Sequence, residues 1–272
     1  MLELLREIVN IKTSGFDESR FLLSSVFDIQ AHFKPSLFDM PYSDRIRVAQ
    51  TSTTSGSCFC FKGVKQIPLE VLGLDTRKVV TDDKCLEIAI LDAAFGTLPS
   101  HPSAILGLSG SPSDKSNART TLIIGEIYRL VSRFSNAKRS PVITMVGSVG
   151  NVLRELRKMG NAKIYATDFD ESLIGKQLGG VWVESGSKTE ERLAQSDIGL
   201  ITAMTLATNT LQSIVNLSSA NGTKLIMFAE TGTHFADELI DMGIDSIVAE
   251  EFPFYMFPGN TKVSVYRKGH SE

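Results

Sequence analysis

Val142 to Val146 is a run of β-branched and apolar residues closed by Gly147. Such a run fits a parallel strand buried on both faces. Apolar residues then recur at Val152, Leu153, Leu156 and Met159, the spacing of one helix face. Arg154, Glu155, Arg157 and Lys158 make the outer face, and Gly160 stops the helix. Residues 164–167 read as a second strand, closed by Asp168. The alternation continues, with strands predicted at 198–202, 224–228, 246–249 and 263–266 and helices at 189–195, 209–217 and 235–242. It implies an α/β fold with a Rossmann-like, doubly wound, mostly parallel sheet and right-handed crossovers. The last strand reads as an antiparallel edge.

The first half has a different pattern. Residues 1–10 and 19–30 carry apolar residues at helical spacing, Leu2, Leu5 and Ile8, then Phe21, Leu22 and Val26. Residues 45–49 alternate as a strand. A Ser/Thr-rich turn follows, and 57–61 reads as the second arm of a hairpin. Residues 67–72 and 78–81 read as loop or strand pieces. Residues 84–95 and 117–134 read as helices, and 99–114, punctuated by proline, glycine and serine, as irregular chain.

A length of 272 residues allows two domains. The polar, basic stretch 135–140 is the natural boundary. The division is a small α+β domain at 1–138 and the Rossmann-like domain at 139–272. A net charge of −3 with no basic run argues against a nucleic-acid partner and an anionic membrane surface. No apolar run is long enough to span a bilayer. The first ten residues carry acids and helical spacing, unlike a signal peptide. Three cysteines without an export signal fit reduced thiols in a cytoplasm. The expected partner is a small-molecule ligand, with a homodimer left open.

Gly147, Ser148, Val149 and Gly150 form a turn that lets a ligand approach the backbone. The helix start behind them attracts anions. Asp168 stands at about the spacing where such folds place the acid that takes ribose hydroxyls. The loop lacks one glycine of G-x-G-x-x-G, so it reads either as a site for a nucleoside cofactor, S-adenosylmethionine or NAD(P), or as a tight turn. Thr202, Thr205, Asn209 and Thr210 follow a strand and offer polar groups at the same rim; on the other reading Thr208, Asn209 and Thr210 cap the next helix.

Glu230, Thr231, Gly232, Thr233 and His234 follow the next strand, at the rim where open α/β proteins bind ligands. Glu230 and His234 are the candidates for a divalent metal. Glu250 and Glu251 pose the same choice between cation ligand and solvated acid. Thr53, Thr54 and Ser55 lie in the hairpin turn, or form a lid if the hairpin leans over the second domain. Cys58 and Cys60 face one side of a strand, as core or as soft-metal ligands, and Cys85 reads as core. His32, His101 and His270 show no H-x-x-x-H spacing. No nucleophile–base pair is visible by spacing, so no catalytic residue is named.

These residues carry a resemblance. The hairpin TSTTSGSCFCF with LEIAILDAAFGTLP, the glycine loop VGSVGNVLRELRKMGNAKIYATDFD, the segment SDIGLITAMTLATNTL and the loop FAETGTHFADELIDMGIDSIVAEEF resemble a family described as putative heavy-metal chelation proteins. The resemblance covers nearly the whole chain. It implies an enolase-N-terminal-like domain joined to a Rossmann-like domain, with the site in the cleft between them. The family's G-P-S-T-P loop is here Glu230-Thr231-Gly232-Thr233-His234, without the proline. The implied function is to bind a metal-chelating compound or help to make one. The alternatives are an enzyme using S-adenosylmethionine or NAD(P) at the glycine loop and a non-catalytic ligand sensor.

Overall fold

The structure, a computed structural model, describes residues 1–33, 42–61, 65–132 and 139–269. Two sheets organise them. The smaller is an antiparallel meander of β1 (Ser25–Phe33), β2 (Tyr42–Gln50) and β3 (Ser55–Phe59), with α1 (Leu2–Lys12) and α2 (Lys84–Phe95). The larger has nine strands: β4 (Ala104–Leu108), β5 (Val142–Val146), β6 (Lys163–Asp168), β7 (Gln177–Leu178), β8 (Val181–Ser185), β9 (Ile198–Thr202), β10 (Lys224–Ala229), β11 (Ser246–Glu250) and β12 (Thr261–Arg267). Their order is β4-β12-β11-β10-β9-β5-β6-β8-β7. The run from β11 to β8 is parallel, and β4, β12 and β7 pair antiparallel at the two sides. The fold is therefore mixed α/β with a large, mostly parallel sheet, as the alternation predicts.

Successive strand residues feed two different cores. Ile143, Met145, Leu200, Ile226 and Phe228 face α3 (Pro112–Val131) and α4 (Gly150–Arg157). Val146, Ile201, Leu225, Met227 and Ala229 face α7 (Leu211–Asn221) and α8 (Ala236–Asp241). Burial on both faces explains the unbroken apolar runs of these strands. The second core also takes Leu5 and Val9 of α1 and most of α2, so the two halves share one interior. Short helices α5 (Thr189–Leu193) and α6 (Met204–Ala207) complete the crossovers.

Several predicted elements change. Residues 19–30 are not a helix: a 3-10 turn at Glu18–Phe21 leads into β1. Phe27 and Ile29, two apart, pack against the cluster of Ile46, Val48, Phe254 and Tyr255, Phe27 also meeting Phe252 edge-on, and Asp28 lies opposite Arg47 on β2. Strand pairing overrides the 3.6-residue coincidence of Phe21, Leu22 and Val26. The stretch 99–114 holds β4, an outermost strand whose Ile105 is 60% exposed; its short apolar run AILGL was masked by the proline, glycine and serine on either side. With β4 outside it, β12 is antiparallel but not an edge. The large sheet thus draws on residues before 139, and the linker 133–138 lies outside the described residues. The hairpin β7–β8 was not read from the sequence.

Candidate functional site

The small sheet reaches the large one through β3. Gly232 N–H donates to Ser57 O at 3.0 Å, Ser57 Oγ donates to Glu230 O at 3.1 Å, and Phe59 N–H donates to Thr231 Oγ1 at 2.9 Å. Gly232, at φ +60°, has no room for a Cβ, which would fall 2.6 Å from the Phe235 ring. The loop after β10 is thus held like an added strand at the C-terminal rim. On its other side β3 lies directly on α2: a Cβ on Gly56 would stand 2.2 Å from Ala93 N.

Asp92, fully buried on α2, organises this junction. Its Oδ2 accepts from Ser57 N at 2.8 Å, and its Oδ1 accepts from His234 N at 2.8 Å and lies 3.2 Å from His234 Nδ1. Burial pulls the His234 imidazole toward its neutral form. The charge and hydrogen bond of Asp92 outweigh that, so the ring titrates above its ordinary value. With Nδ1 committed to Asp92, Nε2 is the atom through which His234 exchanges a proton. Thr54 lies beside it, since a Cβ on Gly96 would meet Thr54 Cβ at 3.1 Å and His234 Cε1 at 3.2 Å. Asp92→Asn is expected to lower the His234 midpoint, read from imidazole NMR signals against pH.

A second cluster lies on the other side of the loop. Arg119 of α3, almost fully buried, donates from NH1 to Glu230 Oε1 at 2.6 Å and to Glu250 Oε2 at 2.9 Å. Its guanidinium lies 4.1 Å from the Tyr255 ring centroid and 4.5 Å from that of Phe228. Burial raises Glu230 to about 8 against the pull of Arg119, with Glu250 and then Asp44 adding negative charge. Asp44 of β2 is itself lifted to about 6 by burial. Glu250 Oε1 and Arg119 Nε are buried without a hydrogen-bond partner among the described residues.

Further along the rim, Gly147 (φ +82°) turns at the end of β5, between β6 and β9. This is the switch point where such sheets open a crevice. Here the crevice is narrow, because a Cβ on Gly147 would lie 2.3 Å from Thr202 Oγ1. Asp168 turns inward: Oδ2 accepts from Ser148 N at 2.6 Å and Oδ1 from Asp170 N at 2.9 Å. Val149 caps α4 without a side-chain bond, and Leu178 of β7 lies against Gly150. Thr205 Oγ1 donates to Thr202 O, Thr208 and Thr210 share a hydroxyl contact at 2.9 Å, and Asn209 adopts φ +58°. Thr210 precedes α7 without a side-chain cap bond, so the local capping function is not used.

In the hairpin turn, Thr51 Oγ1 lies 3.4 Å from Thr53 Oγ1 and 3.1 Å from Thr54 Oγ1, and Thr54 Oγ1 donates to Ala93 O at 2.6 Å. Ser55 opens β3, and Thr233 is buried beside His234. Thr54 of the hairpin turn is thus tied to α2 and lies beside His234 at Gly96. His101 is exposed and contacts Asp237, Glu251 pairs with Lys262, and His32 lies exposed on β1. His270 lies outside the described residues. Among the described residues no group of three or more His, Cys, Asp or Glu is arranged to hold a metal ion. Glu230, a metal candidate, is paired with Arg119. Nor is any helix there long and apolar enough to cross a membrane. Sequence reading missed Arg119, Asp92, Asp44 and Tyr255. The one signal for Asp92 was an acid in the middle of an apolar helix.

No curated protein matches the chain. Two solved structures, both described as proteins of unknown function from the DUF364 family, share the fold over nearly its whole length. One, from Desulfitobacterium hafniense DCB-2, has a TM-score of 0.56 at 14% identity and covers 96% of this chain and 98% of its own. The other, from Pyrococcus horikoshii, has a TM-score of 0.54 at 9% identity, with 98% and 99% covered. The DUF364 family model, described as "Putative heavy-metal chelation", matches residues 118–249, a span that runs from Arg119 almost to Glu250.

Proposed function

We propose that the chain binds a small, positively charged or metal-bearing ligand in the cleft between the β2–β3 hairpin and the C-terminal rim of the large sheet. The observation that carries this reading is the surplus of acid around Arg119. Glu230 and Glu250 share one guanidinium, Asp44 adds a further charge, and Glu250 Oε1 is buried without a partner. A cationic group entering here would displace the proton of Glu230 and complete Glu250. The donor set does not form a metal shell of its own, so a metal would arrive as the cargo of a chelating compound. This agrees with the description of the family. His234, oriented by Asp92, stands near the same loop and can take or give a proton at Nε2.

The glycine loop supports a nucleoside less well. A ribose binding Asp168 would have to compete with the Ser148 N–H that it already accepts.

Glu230→Gln tests the reading. In the wild type the folded value of Glu230, about 8, lies above the ordinary 4.5, so the folded chain keeps a proton that the unfolded chain releases. Its contribution to stability is full below 4.5 and is lost as pH rises through 8, with a slope of at most about 1.4 kcal/mol per pH unit. Glu230→Gln is expected to flatten that slope in urea unfolding. It should also abolish the thermal shift given by divalent metals complexed to small chelators. A shift in the wild type with S-adenosylmethionine or NAD alone, unaffected by Glu230→Gln, would count against the reading.

A further inference from the structure

The chain has three cysteines, and the fold brings all of them together. Cys58 lies in β3, Cys60 just beyond it, and Cys85 is the second residue of α2. Cys58 Sγ is 3.3 Å from Phe59 O and Cys85 Sγ is 4.0 Å from the same oxygen. The Cys85 sulfur is in hydrogen-bonding contact with both other thiols. The thiols of Cys58 and then Cys60 hold Cys85 well below its ordinary value, helped by the Phe61 N–H and the Arg47 guanidinium. A place in the first turn of a helix favours a thiolate in the same sense. Burial first, and then Cys85, pushes Cys58 up; Cys85 first, and then burial, pushes Cys60 up.

The two partners of Cys85 differ. Cys58 is fully buried within the shared core. Cys60 and Cys85 are half-buried. Cys60 Sγ also contacts Cys58 O at 3.7 Å, long enough to be given up readily.

We propose that Cys85 and Cys60 form an oxidant-reactive pair that hydroperoxides convert into a disulfide joining α2 to the end of β3. The Cys85 thiolate attacks one peroxide oxygen. An S–O bond forms, the O–O bond breaks, and hydroxide leaves with a solvent proton as water. The Cys60 sulfur then attacks the sulfenic sulfur of Cys85. The S–S bond forms, the S–O bond breaks, and the departing oxygen takes the Cys60 proton and leaves as water. Two thiols are oxidised and one hydroperoxide is reduced.

The experiment treats the full chain with hydrogen peroxide, blocks remaining thiols with iodoacetamide, and maps non-reduced peptides by mass spectrometry. The expected product is a Cys60–Cys85 cross-linked peptide, with Cys58 alkylated once the chain is unfolded. Cys58→Ser should retain the link. Cys60→Ser should leave Cys85 as a sulfenic acid captured by dimedone. A link involving Cys58, an intermolecular link, or a Cys85 that stays a free thiol would each overturn the proposal. If a serine variant fails to fold, alkylation of the wild type decides. Cys85 should be labelled at pH 6 while Cys60 is not, and equal labelling of the two would overturn the assignment.

Discussion

Gly56→Ala is expected to lower the unfolding free energy by about 3 kcal/mol or more, at the upper end of what overpacking does. The methyl group would stand 2.2 Å from Ala93 N, 2.3 Å from Ala89 O and 2.7 Å from the Asp92 carbonyl carbon. These are backbone atoms inside a helix, so they cannot turn aside as a side chain would. Strand β3 must move off α2. Such a shift also strains the Ser57 N–H bond to Asp92 and the Phe59 N–H bond to Thr231, which hold the cleft. Urea unfolding checks the result. Gly125, exposed on α3 with nothing within 4 Å of an added Cβ, is the control. Its alanine variant should gain about 0.5–1 kcal/mol from helix propensity. Equal effects at the two positions would show that β3 and α2 do not approach so closely.

The second large effect is expected at Arg119. Arg119→Met keeps the packing against Phe228 and Tyr255 but leaves Glu230 and Glu250 without their cation. Glu250 is 0% exposed, so its charge has no water to turn to. Removing one partner of a buried ion pair costs about 3–5 kcal/mol, mostly because the other charge is stranded. The sign of the pH dependence follows. At acid pH Glu230 keeps its proton and the loss shrinks; above pH 8, where Glu230 ionises, the loss is greatest. Urea unfolding at pH 5.5 and pH 8.5 reads the difference. A variant equally stable at both, and close to wild type, would mean that the cluster is not ionic.

The local pattern carried the sheet. A strand buried on both faces needs an apolar residue at nearly every position, and the alternating helices need one every three to four. Both requirements sit within a few residues, so β5, β6, β9, β10 and β11 were visible in the chain. The same locality misled at 19–30, where the partner of Phe27 and Ile29 is the aromatic segment of residues 252–257, far along the sequence. It also hid β4, whose pairing with β12 joins Ala104 to Val265.

The site divides in the same way. The glycine turn, the loop at Glu230–His234 and the acid at 168 were legible because strand ends and turns have local chemistry. That Asp168 would bond Ser148, and that Glu230 would pair with Arg119, was not. Those choices rest on partners brought together by the packing of α3 on the sheet and of β3 on α2. Cys85 shows the same division: alone in sequence, it meets Cys58 and Cys60 only because Gly56 lets β3 lie against the helix backbone. The sequence by itself determined the alternation of strands and helices and the residue types at the rim, since these depend on periodicity and turn chemistry. Only the tertiary structure decided which charges and thiols face one another, because close contact between residues far apart in the chain is set by packing and has no periodic signature.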